Sequence, residues 1–310
     1  MIEPTAAHRG GKADGPRPRF LRRAKPLLGT LVEVACSGTA LAASEAAFAA
    51  IARVQRLMSR HEAASDLSRF NVAALGQWTA VAPETLTVFG FALQLSAQTG
   101  GIFDVCAACG QDEAGQTGTG HPVSGSWRDV EIDLQRGALR KHAPLQADLG
   151  GVAKGYAVDA AVRAMQQAGG GNGNGNGEGE GGEGASGKCQ SGEGPSGWVN
   201  AGGDLRVFGN LEMPVRVRSP QNLSGTVACV RLRNRAAATS ACYLQATEAD
   251  PSAQSVLWHG ISRQPVAHDK SWTVAAPCCM AADGLTKLVA ATGTAQHPLL
   301  AHYAAQAWIF

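Results

Sequence analysis

The sequence predicts an α+β fold, a mixed and largely antiparallel sheet with packed helices. Three observations lead there. Apolar stripes at helical spacing recur at Phe48, Ile51, Val54 and Met58, at Leu86, Phe89 and Leu93, and at Val158, Val162 and Met165. Short strand-like runs bounded by glycine turns follow, as in Trp198-Val199-Asn200-Ala201, Gly202-Gly203-Asp204 and Leu205-Arg206-Val207-Phe208. A last such run, residues 306–310, closes the chain as a terminal strand.

Residues 1–30 carry seven Lys/Arg against Glu3 and Asp14, while the whole chain is only +2. The body is therefore slightly acidic, which argues against a nucleic-acid-binding surface. Residues 1–26, rich in Gly, Pro and Arg, read as a disordered basic tail with little to bury. Arg22-Arg23 invites a twin-arginine export reading, but the apolar run 27–32 is cut short by Glu33. The chain is expected to be cytoplasmic. No run approaches the roughly eighteen apolar residues of a membrane span, so no direct membrane insertion is expected.

After the tail, residues 28–34 read as a first strand, and Ser44 as the cap of the first helix. A polar segment, 64–71, follows. The second helix starts at Pro83-Glu84 and stops at Gly100-Gly101. Ile102-Phe103-Asp104-Val105 then sets a carboxylate in an apolar stretch, where it either caps a turn or serves a site. Residues 129–135 alternate as an exposed strand.

Asp148-Leu149-Gly150-Gly151-Val152-Ala153-Lys154-Gly155-Tyr156-Ala157-Val158-Asp159 is the most informative stretch. Gly150 and Gly151 stand at a loop-to-helix junction, where unpaired amides and the positive end of the dipole face outward. A lysine in the first turn is disfavoured there unless something negative lies beside it. Lys154 is thus either solvated or the partner of an anion, for which a phosphate is natural. The spacing is neither a P-loop nor a dinucleotide fingerprint.

That helix ends near Gly169. Residues 169–197 hold 14 of the 39 glycines and read as a disordered insert within a single domain, 27–310. Strands are expected at 214–218, 226–232 and 271–276, with Ala238-Thr239-Ser240-Ala241 between the last two. Asp283 and Thr286 lie three apart, on one face of a helix start. The pair is either a hard-cation site of the kind Mg²⁺ prefers or a carboxylate favoured by the dipole. Eight cysteines lack a secretory context, and Cys106-Ala-Ala-Cys109 lacks a second ligand pair for zinc.

Seven stretches in order resemble the ApbE family of FAD:protein FMN transferases. They are Leu28-Gly29-Thr30, Met58-Ser59 through Asn71, Thr99 through Val105, Asp148 through Asp159, Asn200-Ala201-Gly202-Gly203-Asp204-Leu205, Ala238-Thr239-Ser240, and Ala282-Asp283-Gly284-Leu285-Thr286-Lys287. The resemblance implies an ApbE-like, T-fold-type architecture with the flavin between two halves. It also implies an enzyme that takes FAD as substrate with Mg²⁺ and moves FMN to a Thr or Ser of an acceptor flavoprotein, releasing AMP; a non-transferring FAD-binding protein or FAD pyrophosphatase of the same ancestry is the alternative. By family position Asp283 and Lys154 are catalytic. Leu28, His61, Ile102, Phe103, Asp104, Asp148, Lys154 and Trp258 contact FAD, and Gly151, Asp283, Thr286 and Lys287 surround the metal. The chain departs from the family pattern at three places. His61 replaces a frequent Tyr, residues 255–266 lack the usual histidine-to-glycine pattern, and Lys287 stands where many members carry Thr. At that last place Thr286 serves instead, or the lysine stands in for the cation's charge, or metal binding is lost.

Overall fold

The structure, a computed structural model, describes residues 2–3, 20–38, 41–107, 124–169, 194–222, 224–241, 257–266 and 270–310. Most of the glycine-rich insert, Cys109 and residues 4–19 lie outside them.

Among these residues the strands are β1 (Ile2–Glu3), β2 (Phe20–Leu27), β3 (Thr30–Ser37), β4 (Thr79–Ala80), β5 (Val130–Asp133), β6 (Ala138–Lys141), β7 (Gly197–Ala201), β8 (Asp204–Phe208), β9 (Glu212–Arg218), β10 (Thr226–Arg233), β11 (Ala236–Ala241), β12 (Ser271–Ala276) and β13 (Gln306–Ile309). The helices are α1 (Leu41–Met58), α2 (Asp66–Val72), α3 (Pro83–Gln98), α4 (Ala153–Gly169), α5 (Cys279–Thr292) and α6 (Pro298–His302). A seven-stranded sheet runs β13-β12-β11-β8-β7-β3-β2, with every neighbouring pair antiparallel. This agrees with the expected sheet and terminal strand. No helix among the described residues is long and apolar enough to cross a membrane.

Helices α4 and α5 cover one face of the sheet, with α1 against α4. The small sheet β1-β10-β9 covers part of the other. Strand β8 shows how the two faces divide. Leu205 and Val207 join Val217, Val230 and Leu232 in the small core, whereas Asp204 and Arg206 face α4 through Lys154 and Asp159. The period of two holds, with charges on the buried helix side. A third sheet, β4-β6-β5, meets α2 through β4.

Four local expectations are corrected. The tail does not reach residue 26, because Phe20–Leu27 pairs with β3 along its length. Its basic residues have partners there: Arg22 pairs with Glu33 and lies over Trp198, while Arg23 and Lys25 pair with Glu45 and lie over Phe48. The next strand starts at Thr30, since Leu28 and Gly29 form a two-residue turn with φ of 56° and 68°. Ser44 is not a cap. Helix α1 starts three residues earlier, and the Ser44 hydroxyl donates to the Leu41 carbonyl at 2.8 Å. The polar segment 64–71 holds helix α2, capped by Ser65, whose hydroxyl accepts from the Ser68 amide at 2.9 Å.

The contact of α4 with α5 rests on Gly155. A Cβ there would lie 2.4 Å from the Cys279 carbonyl oxygen and 2.7 Å from its carbon. Backbone cannot swing aside as a side chain does. Gly155→Ala is therefore expected to cost about 3 kcal/mol, read as a lower urea midpoint at unchanged slope. A loss below about 1 kcal/mol would show that the helices separate freely.

Candidate functional site

A cavity of about 700 Å³ opens between the β2–β3 turn, the end of α1 and the start of α4, with α5 behind. That is ample for a dinucleotide-sized ligand. Several of the expected residues line it: Leu28, His61, Phe103, Asp104, Asp148, Gly151, Lys154, Trp258 and Lys287. Ile102, Asp283 and Thr286 are not among the lining residues.

The walls are held by local hydrogen bonds. After α1 the Ser59 hydroxyl accepts from the His61 and Glu62 amides, both at 3.1 Å, and the Ser65 hydroxyl donates to the Ser59 carbonyl at 2.6 Å. This turn sets Arg60 and His61 at the mouth. The Asn71 side chain clamps Ala147 on both sides, accepting from its amide at 2.7 Å and donating to its carbonyl at 3.0 Å. The neighbouring Asp148 accepts from the Gly150 amide at 2.8 Å and from Arg60 at 2.7 Å. Its carboxylate thus shapes the glycine turn. Leu28, in its left-handed turn, is fixed by its amide donating to Gln55 at 2.8 Å.

The Asp104 side chain is buried, and its carboxylate accepts from the Cys106 amide at 2.8 Å and the Trp127 amide at 3.2 Å. Burial pushes its pKa up, against the pull of those amides and of Arg263. Ile102 contributes backbone, its carbonyl accepting from the Gly260 amide at 2.9 Å. Arg263 ties the segment 257–266 down by donating to the Cys106 and Gly125 carbonyls at 3.1 and 2.8 Å. This places Trp258 in the wall.

At the inner end two acids and two lysines meet. Lys154 Nζ lies 3.3 Å from Asp204 Oδ2 in an ion pair without hydrogen-bond geometry. Asp204 and Asp283 together hold the Lys154 ammonium well above the ordinary lysine range, Asp204 contributing most. Asp283 accepts from the Gly155 amide at 3.1 Å and from the Lys287 ammonium one turn on. The Thr286 hydroxyl donates to the Asp283 carbonyl at 2.7 Å and meets Ser240 at 2.6 Å.

These donors do not fit a divalent cation. Asp283 has both oxygens taken, one of them by an ammonium. Thr286 is fully buried and engaged with Ser240. The Lys287 chain lies beside Gly151, its Cε 3.5 Å from where a Cβ would stand. The expected metal set of Gly151, Asp283, Thr286 and Lys287 is thus bridged internally. Among the described residues no group of three His, Cys, Asp or Glu side chains is placed to hold a metal. The thiols offer nothing in its place, since burial raises the Cys278 and Cys279 pKa values.

Asp204 is the residue that sequence reasoning passed over. Its signals were a carboxylate directly after a glycine pair and its place in the family-like stretch Asn200–Leu205, neither of which gave it a role. Burial and the nearby Asp283 push its pKa from 3.8 to about 6. The folded protein holds this proton more tightly than the unfolded chain. The stability so gained is complete below about 3.8 and lost as pH rises through about 6. Measured by denaturation, wild type is expected to lose roughly 2 kcal/mol relative to Asp204→Asn between pH 4 and pH 7. Parallel pH profiles for the two proteins would refute this.

The ApbE family model matches residues 28–187 and 174–309. The flavin transferase ApbE of Vibrio cholerae, solved as a point variant, is similar in structure: TM-score 0.69, 21% identity, with 94% of this chain and 93% of that chain covered. The ApbE protein of Thermotoga maritima gives 0.68 at 20% identity, covering 89% of this chain and 87% of that one. The apo flavinyl transferase ApbE of Pseudomonas stutzeri gives 0.67 at 19%, covering 90% and 86%. No curated protein matches. Since the family model spans nearly all of the sequence from Leu28 to Ile309, the chain belongs to the ApbE family.

Proposed function

We propose that this protein transfers FMN from FAD to a Thr or Ser hydroxyl of an acceptor flavoprotein, forming a phosphoester bond and releasing AMP. One observation carries the reading. A single cavity joins the cations of Lys154 and Lys287 and the turn at Gly150-Gly151 to a wall containing Leu28, Phe103 and Trp258. An apolar ring system linked to an anionic diphosphate meets both kinds of surface. Structural neighbours named as flavin transferases support the same reading.

In the reaction the acceptor oxygen bonds to the FMN phosphorus while the bridging bond to AMP breaks. The hydroxyl's proton passes to solvent water, and AMP leaves as an anion. Transfer of this kind depends on positioning and on offsetting charge at the phosphoryl oxygens. Lys154 and Lys287 supply that charge. Asp283 positions Lys287 and the Gly155 amide, and Asp148 holds the glycine turn and Arg60. His61, Asp104 and Trp258 form the remaining flavin wall, with Ile102 acting through its carbonyl. Mg²⁺ dependence, which the resemblance also implies, has no matching donor set and forms no part of this mechanism.

The test is incubation of the protein with FAD and a cell lysate, followed by denaturing electrophoresis and in-gel flavin fluorescence. A covalently fluorescent band with equimolar AMP is expected. AMP without a labelled band would favour the FAD pyrophosphatase alternative, and tight FAD with neither product a flavin carrier.

A further inference from the structure

The Lys287 ammonium contacts Asp283 Oδ1, and its Cε packs 3.5 Å from the Cβ position of Gly151. These two residues are the ones expected to flank a metal ion. We propose that Lys287 is a built-in cation, occupying the place between Gly151 and Asp283 that a divalent ion would take, so that the protein binds the flavin diphosphate without metal. The inference rests on reading the cavity as a flavin site.

Three features support it. Lys287 also lines the cavity, so its ammonium is held by Asp283 yet within reach of a ligand. It stands one helical turn after Asp283, and α5 holds the pair in register. The Asp283 carboxylate has its second oxygen on the Gly155 amide, which orients it toward the lysine. A tethered ammonium carries one charge where a metal carries two. Lys154, held protonated by Asp204, supplies the second. An ammonium is a point charge with three donors, suited to a diphosphate oxygen and a carboxylate at once.

The test has two arms. In the first, Mn²⁺ binding to the wild-type protein and to Lys287→Thr is followed by electron paramagnetic resonance, with and without FAD. In the second, FAD affinity is measured by flavin fluorescence in EDTA and in excess Mg²⁺. Wild type is expected to bind no Mn²⁺ at this site, and its FAD affinity should change less than about twofold between the two buffers. The threonine variant should lose roughly ten- to a hundredfold in FAD affinity in EDTA, as expected for removal of a charge-assisted contact. It should also gain a Mn²⁺ site and recover affinity with Mg²⁺.

Stoichiometric Mn²⁺ on the wild type, or a tenfold Mg²⁺ effect on its FAD affinity, would overturn the proposal. So would a folded Lys287→Thr that takes up no metal. If that variant does not fold, the wild-type titrations decide alone. If the wild type binds no FAD in either buffer, the flavin reading fails, while the Mn²⁺ comparison still decides whether Lys287 stands in a cation's place.

Discussion

Replacing Asp159 with alanine is expected to destabilise the protein by about 4 kcal/mol, lowering the melting temperature by roughly 10 °C. Asp159 sits on α4, buried, yet works for α5. Its carboxylate accepts from the Cys279 and Met280 amides, each at 2.9 Å, and from Arg206 at 2.5 Å. The first two are among the amides that a helix start leaves without intrahelical partners, and Cys278 at the cap position makes no side-chain bond to them. Alanine would leave those amides and a half-buried guanidinium unpaired at once. Asp159→Asn keeps one acceptor oxygen and should lose about half as much. Since α5 carries Asp283 and Lys287, flavin affinity should fall with stability. A loss under about 1 kcal/mol for the alanine variant would mean that α5 is held by packing alone.

The second large effect is on turnover. Lys154→Ala is expected to lower FMN transfer by roughly a hundred- to a thousandfold, as when one preorganised contact to a developing charge is removed. The same change leaves Asp204 buried without its cation, so part of any loss could come from misfolding. The double variant Lys154→Ala, Asp204→Asn separates the two causes. Removing both charges should return stability to within about 1 kcal/mol of wild type while transfer stays low. Recovery of transfer in the double variant would show that Lys154 acts only by balancing Asp204.

Within α4 the same stretch of sequence does two jobs. Val158, Val162 and Met165 are buried on the stripe that the periodicity predicts. Lys154 and Asp159, five residues apart, face two charges of β8, the buried Asp204 and the half-buried Arg206. Nothing in the pattern of α4 alone shows this, because the partners lie some 50 residues away beyond the glycine-rich insert.

Legible in the sequence alone are the α+β class, the terminal strand, and the helices and strands whose apolar periodicity runs uninterrupted, because such patterns need only local chain geometry. Through the family resemblance the sequence also marked Asp148, Gly151, Lys154, Asp283, Thr286 and Lys287 as site residues. The tail was misjudged because the strand Phe20–Leu27 is stabilised by Glu33, Glu45, Phe48 and Trp198, all distant in sequence. Helix α2 was missed because it has only seven residues, too few for an apolar period to show: its buried face is just Leu67 and Phe70, and Ser65 and Asp66 contacts fix its start. That Asp204 joins the lysines, and that Lys287 lies against Gly151, follows from tertiary packing alone. A charge's partner is set by where strands and helices pack, and electrostatic contact at a few ångströms leaves no period in the sequence.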